Sequence, residues 1–322
     1  MTRRLLRRLG ARVGTTALVL IGVTVVVFLL LELVPGDPAR AILGTQATDE
    51  AVAAVRAELG LDKPLPVQYA DYIAGLLHGD MGRSYLIRQP VADVLMPRFG
   101  NTMILTGAAL LVAVGLGVPI GILAAVRQYS LVDRAVMLAA MGGANVPVYW
   151  LAIMLVGVFA VGLGWFPTSG MQNLRGGGPG DLLAHLVLPA ISASLVSLAV
   201  LARLTRSVMV EELSRNHIRT LRAAGIRERS IVWRHALRNS LPQIVNVTGL
   251  QVGYLLGGVV FVEVVFAWPG IGYQLYTSIS QNDIPVVQGG VLFIALSFVL
   301  VNMLADLAGG LLDPRSRRRA AA

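Results

Sequence analysis

The chain has 322 residues, of which 55% are hydrophobic and only 14% are charged. Its mean hydropathy of +0.70 is far too high for a soluble domain of this length. Cysteine is absent, which excludes disulfides and thiolate metal sites, and the four histidines have no metal-ligand spacing. The net charge of +9 would suit nucleic acid, but in a membrane protein the position of the charge decides its meaning.

Long apolar stretches dominate the sequence. A helix needs about 20 apolar residues to cross a hydrocarbon core of about 30 Å. Six stretches meet or nearly meet this length, which predicts an all-α, polytopic membrane protein with about six transmembrane helices. The fourth stretch is the weakest because Pro189 and several serines interrupt it. In chain order the predicted spans are Val13–Val34, Thr102–Val126, Ala135–Leu163, His185–Leu204, Leu241–Phe266 and Val286–Leu312.

The first span follows a basic segment, MTRRLLRRLGARV, and the two together also have the pattern of a signal peptide. The apolar run covers residues 13–34, which is longer than the usual apolar region of a signal peptide. No small-residue cleavage site follows it. We therefore interpret the run as a retained span.

Basic residues are unevenly distributed between the loops. Twenty of the 27 lie in the N-terminus, residues 127–134, residues 203–238 and the C-terminal tail. The positive-inside rule therefore predicts that both termini and the 203–238 segment are cytoplasmic, as an even number of spans requires. The expected organisation is a cytoplasmic N-terminus at 1–12, a transmembrane domain at 13–312 and a basic tail at 313–322.

Three loops fall on the opposite side. The first, residues 35–100, contains two short predicted helices, Asp49–Leu59 and Gln68–Leu77, neither of which is large enough to form its own core. The second, 164–184, contains GGGPG, which predicts a mobile loop. The third, 267–285, opens with the turn-rich sequence WPGIG.

Catalytic motifs are absent from the sequence. A phosphate-binding G-x-x-x-x-G-K-[ST] loop is excluded because the chain's one lysine is Lys63, and no G-x-S-x-G elbow occurs. This argues against an enzyme. Glu32, Glu263 and Asp306 stand alone on separate spans, and this scarcity of charge argues against an ion-coupled secondary transporter.

Polar residues within the spans are candidates for a translocation pathway. Asn145 precedes Val146-Pro147, which could break a helix, Gln251 lies mid-span, and Glu263 precedes the WPGIG region. Hydrogen bonding between packed helices explains such residues equally well. The same two interpretations apply to Gln243, Asn246 and Thr248.

The cytoplasmic segment contains RTLRAAGIRERSIVWRHALRN at residues 219–239, with six arginines. It could be a topology anchor touching acidic lipid, a nucleic-acid site or a docking element for a cytosolic protein. We favour docking, because the pattern predicts a helix over Glu211–Ala224, a stop at Gly225 and a second helix capped by Ser230.

Arginine forks suit pairing with carboxylates, and Leu221 and Ile226 could fill a groove on a partner. The predicted coupling residues are Arg219, Thr220, Leu221, Arg222, Ala223, Ala224, Gly225, Ile226, Arg227 and Arg229.

These residues carry a resemblance to a known family. RTLRAAGIRERSIVWRHALRNSLP resembles the cytoplasmic EAA loop of ABC-importer permeases, in the form found in the dipeptide and oligopeptide permease family. Arg219-Thr220-Leu221 occupies the Glu-Ala-Ala positions, and the glycine is retained as Gly225. Further similar motifs, in the same order along the chain, are LVPGDPA, LGLDKPLPVQY, HGDMGRS, RLTRSVMVEE, EVVFAWPGIG, NDIPVVQG and DLAGGLLDPRSR.

The resemblance implies a multi-pass subunit of a bacterial plasma-membrane importer for di- or oligopeptides, coupled to ATPases through residues 211–239 within a 205–240 loop. The implied partners are a second similar permease, two cytosolic ATPases and an extracytoplasmic solute-binding protein. ATP and Mg would be bound by the ATPases, with no cofactor in this chain. The alternatives are a permease for a nickel complex, glutathione or a glycoside, and an ATP-independent secondary transporter.

Overall fold

The computed structural model describes residues 14, 18–29, 38–44, 47–58, 60–173 and 176–312. Within these ranges the chain is mostly helical, and the β-bridge between Arg83 and Pro90 is isolated. The predicted all-α class is therefore confirmed. The helices are α1 Leu18–Leu29, α2 Pro38–Leu43, α3 Asp49–Glu58, α4 Leu65–Leu77, α5 Val91–Val126, α6 Leu131–Asn145, α7 Val148–Leu155, α8 Pro179–Leu213, α9 Asn216–Ala223, α10 Glu228–Ser230, α11 Leu237–Val265, α12 Ile271–Ser280 and α13 Ile284–Leu312.

Four helices are long and apolar enough to cross a membrane. They are α5, α8, the continuous helix Glu228–Val265 that contains α10 and α11, and the Ile284–Val301 part of α13. Helices α6 and α7 pass the same test as a bent pair, and α1 is the described part of the first predicted span. The described residues thus contain four spans, or five with the bent pair, which is roughly compatible with the six predicted stretches.

The third predicted span is not one straight helix. Helix α6 ends at Asn145, α7 begins at Val148, and the pair is bent by 102°. Val146 between them is extended, with φ −72° and ψ 126°. The bend arises because the ring of Pro147 disfavours helical geometry in the residue before it. Beyond α7 the helix continues in π-helical turns from Val156 to Gly162.

The prediction that Pro189 weakens the fourth span was wrong. Helix α8 is continuous through Pro189 and is longer at both ends than the predicted His185–Leu204. The proline removes one backbone donor, but it is buried among neighbouring helices, and tertiary packing of this kind maintains proline-containing helices in membranes. Helix α5 likewise begins at Val91 rather than at the predicted Thr102.

The chain divides into two compact units. The first contains Met1–Thr102 and Pro269–Val299, and the second contains Met103–Trp268 and Leu300–Ala322. In the first unit, α4 packs against α1 through Phe28 and Tyr69, whose ring centroids are 5.4 Å apart. The two short helices predicted in the first loop are confirmed as α3 and α4, and α4 has no fully buried residue of its own.

A buried carboxylate joins distant parts of the first unit. Asp283 accepts a hydrogen bond from the Ser84 hydroxyl at 2.5 Å and another from the Tyr85 amide at 3.0 Å. Ser84 and Asp283 are both buried, and they are 199 residues apart in sequence. The turn after α4 is therefore attached directly to the segment that precedes α13.

The second unit contains an unusually close helix contact. A Cβ atom on Gly117 would lie 2.9 Å from the Leu198 carbonyl oxygen, and one on Gly121 would lie 2.6 Å from that of Ala202. The two glycines are four residues apart, so they share one face of α5. Small residues at this spacing allow helix backbones to approach in a membrane, and here they bring α5 against α8.

Candidate functional site

The segment that follows α8, residues 214–239, is held in place by contacts of Glu212. The Glu212 side chain is only 5% exposed. Its Oε1 accepts a hydrogen bond from Asn239 Nδ2 at 2.7 Å and lies 3.3 Å from His217 Nε2, while Oε2 lies 3.0 Å from an Arg215 guanidinium nitrogen. One carboxylate thus connects the end of α8 to α9 and to the start of α11.

Helix α9 ends as the sequence predicts. Gly225 has φ +75°, its amide donates to the Arg222 carbonyl at 3.0 Å, and the Ile226 amide donates to the Leu221 carbonyl at 3.2 Å. This pair of bonds is a Schellman motif, in which glycine adopts the left-handed conformation at little cost. The predicted stop at Gly225 is confirmed.

The predicted helix from Glu211 to Ala224 is interrupted. Helix α8 ends at Leu213 and α9 begins at Asn216, with Arg215 extended between them. The Ser214 hydroxyl donates to the Glu211 carbonyl at 2.7 Å. Serine competes for backbone groups in this way, which explains a break that apolar periodicity alone does not indicate.

The prediction that Ser230 caps the second helix was wrong. That helix begins at Glu228, its N-cap residue is Arg227, and no side chain caps it. Ser230 already has helical geometry, and its amide donates to the Arg227 carbonyl at 2.8 Å. A carboxylate in the first turn, here Glu228, favours a helix start through the helix dipole instead. A π-helical turn, Ile231–Ala236, then leads into α11.

The predicted coupling residues form a mostly exposed surface. Arg222 binds Glu228 through two hydrogen bonds of 3.1 and 2.6 Å, and this pairing raises the pKa of Arg222. Within the described part of the chain, Arg219, Arg227 and Arg229 are exposed and form no ion pair. We call the ten residues predicted above the coupling surface. Nine of them are exposed, and Leu221 is half-buried.

The coupling surface is fixed from beneath by apolar contacts. Ile218 on the inner face of α9 is fully buried, as is Ile231 at the start of the π-helical turn. Val232 and Ala236 pack in a cluster with Met209 of α8. The segment therefore has one face bound to the transmembrane helices and one face free for a partner.

Sequence reasoning missed an ion pair near the same end of α8. Arg206 donates two hydrogen bonds to Asp133, Nε to Oδ1 at 2.5 Å and Nη2 to Oδ2 at 2.7 Å. Asp133 also accepts from the Tyr129 amide at 2.9 Å. The pair joins the start of α6 to α8. The sequence feature that could have indicated this ion pair is Asp133, an acidic residue in the otherwise basic 127–134 loop.

The three candidates for a translocation pathway lie in the second unit. Asn145 is exposed at the bend and donates to the Met141 carbonyl at 2.6 Å. Gln251 is half-buried, and its Oε1 has no hydrogen-bond partner among the described residues. Glu263 is fully buried. Gln251 and Glu263 are 12 residues apart on α11, about 18 Å along the axis, so the structure does not bring them together.

Two further acids were predicted within spans, Glu32 and Asp306. Glu32 and the side chain of Asp306 lie outside the described part of the chain. Among the described residues, no group of three histidines, aspartates or glutamates could hold a metal ion.

Long apolar helices and a bent helix pair are the features of a polytopic membrane protein. Residues 117–318 match the family described as binding-protein-dependent transport system inner membrane component, and residues 1–106 match its N-terminal companion family. The chain belongs to this family. It is the permease component of an ABC importer, as the sequence predicts.

Curated relatives align over nearly the whole chain. A dipeptide transport system permease protein of Alkalihalophilus pseudofirmus is 39% identical, covering 92% of this chain and 95% of the relative. A di/tripeptide transport system permease protein of Pseudomonas aeruginosa is 40% identical, with 97% and 98% covered. A glutathione transport system permease protein of Salmonella typhimurium is also 40% identical, with 98% and 99% covered.

A solved structure shows the same fold. A chain of the MetNI methionine ABC transporter, in an inward-facing conformation, superposes with a TM-score of 0.57 at 18% identity. The match covers 68% of this chain and 96% of that chain. The ABC-permease fold predicted from the sequence is therefore confirmed.

Proposed function

We propose that this permease carries di- or oligopeptides across the bacterial plasma membrane and is driven by cytosolic ATPases that bind the coupling surface. The observation that carries the coupling proposal is the exposed segment 219–229, in which helix α9 stops at Gly225. Arg219 on α9 and Arg227 and Arg229 beyond the glycine have no ion pair among the described residues, and the opposite face of the segment is buried at Ile218 and Ile231. The guanidinium groups of exposed arginines can form bidentate ion pairs with carboxylates of a partner protein.

The proposed assembly has this chain, a second similar permease, two ATPases that bind ATP and Mg, and an extracytoplasmic binding protein that delivers the solute. Both termini and the coupling surface are on the cytoplasmic side. Movement of the ATPases would be transmitted through the contacts of Glu212 and Ile218 to α8 and α11. Gln251, Glu263 and Asn145 are the residues that we propose for the pathway.

The coupling proposal is tested at Gly225, in cells that lack the natural gene and are complemented with variants, by uptake of a labelled dipeptide. Gly225→Pro fixes φ near −65° and removes the amide that bonds to Arg222, so the Schellman motif cannot form. Gly225→Asp adds an anion to the arginine surface. We expect both variants to lose uptake by about tenfold or more, which is the size of a docking contact worth about 1.4 kcal/mol.

Gly225→Asn is the matched control, because asparagine tolerates the left-handed conformation and is uncharged. It should retain most of the uptake, and all three variants should be present in the membrane at equal amounts. Normal uptake by the proline and aspartate variants would refute docking at this surface.

The partner composition is tested by purifying the tagged chain from its own membranes in mild detergent and identifying the proteins that accompany it. A second permease and nucleotide-binding ATPases are the expected companions. Transport by this chain alone in liposomes, driven by an ion gradient, would refute the ATP-driven assembly.

Glutathione is the second candidate substrate, since relatives at 40% identity are glutathione permeases. It is itself a tripeptide, so the two proposals predict similar pathways and differ in the solute delivered. Competition of labelled dipeptide uptake by unlabelled glutathione separates them: full competition at equal concentration would favour glutathione.

A further inference from the structure

An open groove lies beside the coupling surface, where the π-helical turn leads into α11. Its volume is about 1070 Å³. Ile226 is the one member of the coupling surface that also lines it. The groove combines aromatic, basic and aliphatic side chains from α9, from the turn at Ile226 and from the 230–241 region. The lining residues are His217, Ile226, Ser230, Trp233, Arg234, His235, Leu237, Arg238, Asn239 and Leu241.

The groove is cationic. Arg234 and Arg238 are exposed, and within the described part of the chain neither forms an ion pair or a side-chain hydrogen bond. No carboxylate is among the lining residues. Glu212 lies behind the groove and contacts His217 and Asn239, but it is buried and its charge is already met by Arg215. Among the described residues the two guanidinium groups therefore lack a counter-ion.

The predicted start of the fifth span at Leu241 places the groove near the depth expected of lipid headgroups. Arg238 and Arg234 precede Leu241, the first residue of the predicted span, by three and seven residues, or about 4.5 and 10.5 Å of helix. The polar layer on each side of a bilayer is about 5–7 Å thick, and arginine side chains extend several ångströms towards it. Trp233, which is 53% exposed, is of the type enriched at this boundary.

We propose that this groove binds an anionic phospholipid of the cytoplasmic leaflet. The phosphate would lie between the guanidinium groups of Arg234 and Arg238, and an acyl chain would follow Leu237 and Leu241 onto the apolar surface of α11. One further feature favours a lipid over a protein partner. The aliphatic side chains continue directly into a transmembrane helix. The inference goes beyond the proposed transport function.

The test uses the detergent-purified transporter with its accompanying subunits, and native mass spectrometry counts bound lipid. Dioleoylphosphatidylglycerol is titrated against dioleoylphosphatidylcholine, whose headgroup has no net charge. We expect a preference for the anionic lipid that falls by about tenfold or more in the double variant Arg234→Gln/Arg238→Gln, since basic residues at an anionic surface each contribute measurably. Arg234→Lys/Arg238→Lys keeps the charge and should retain most of the binding.

The matched control is Arg127→Gln/Arg134→Gln, which removes the same charge from two exposed arginines outside the groove. An equal loss in the control would show general electrostatic attraction and overturn the site. Displacement of the lipid by excess inorganic phosphate would assign the groove to a free anion. Unchanged lipid binding with loss of the ATPase subunits would assign it to the protein interface. Either result would overturn the proposal.

Discussion

Two arginine–carboxylate pairs, Asp133–Arg206 between α6 and α8 and Arg222–Glu228 at the end of α9, differ in their surroundings, and we call them the base pair and the tip pair. At the base, Asp133 has a side chain 5% exposed and binds Arg206 through two short hydrogen bonds. At the tip, Arg222 and Glu228 form a similar fork, but both side chains are about half exposed. The same chemistry is therefore placed in two dielectric environments.

The difference determines what each pair can do. Removing one partner of a buried ion pair costs several kcal/mol, because the remaining charge is left without water or a partner. An exposed pair contributes about 0–1 kcal/mol and is readily exchanged. The base pair is consequently a fixed attachment between α6 and α8, whereas Arg222 of the tip pair can exchange Glu228 for another partner.

The largest effect is expected at the base pair. Arg206→Gln removes the cation and leaves the buried Asp133 carboxylate uncompensated, which should destabilise the protein by about 3 kcal/mol or more. The measurement is the melting temperature of the purified protein in detergent. Arg203→Gln is the control, because Arg203 is exposed on the same helix and has no ion pair among the described residues. Equal melting temperatures for the two variants would contradict the comparison.

An intermediate effect is expected at Glu212. Glu212→Ala removes its contacts with Asn239, Arg215 and His217 and should cost about 2 kcal/mol, since two or more charge-assisted bonds are lost. Its neighbour in sequence, Glu211, provides the control, because that side chain is 69% exposed and has one pair, with Arg215. Glu211→Ala should leave the melting temperature nearly unchanged. A larger decrease in melting temperature for Glu211→Ala than for Glu212→Ala would contradict the structural role assigned to Glu212.

The smallest effect is expected at the tip. Glu228→Gln removes the partner of Arg222 and should change stability by no more than about 0.5–1 kcal/mol, because both groups are solvated. The same melting experiment, repeated at high salt, provides the check. Salt should reduce even this small difference, since it screens exposed charges. A loss as large as that of Arg206→Gln would show that the tip is as rigid as the base.

Local signals in the sequence were sufficient for the outline of this molecule. Apolar length located the transmembrane helices, and the stop of α9 followed from one glycine, whose missing Cβ permits φ +75° at Gly225. These features depend on residues that are close together in the chain. The exposed arginines between 219 and 229 were found for the same reason.

Features that depend on distant residues could not be predicted in this way. Glu212 accepts a hydrogen bond from Asn239, 27 positions away, and Asp133 accepts from Arg206, 73 positions away. A single sequence does not specify which of its polar groups meet. Tertiary packing also overrode the expected effect of Pro189, whereas Pro147 did bend its helix pair. The outcome at a proline depends on neighbours that the local sequence does not show.

The hydrogen bond between Ser84 and Asp283 has a consequence for the order in which the protein is made. Its two residues are separated by 199 positions, so the acceptor is synthesised long after the donor. At about 5–20 residues per second, the interval is about 10–40 s. Throughout that time the turn after α4 has already emerged but lacks its anchor. The first unit is thus completed only after α13 has been synthesised as far as Val299, and a chain shortened before residue 283 would lack this attachment of the turn after α4.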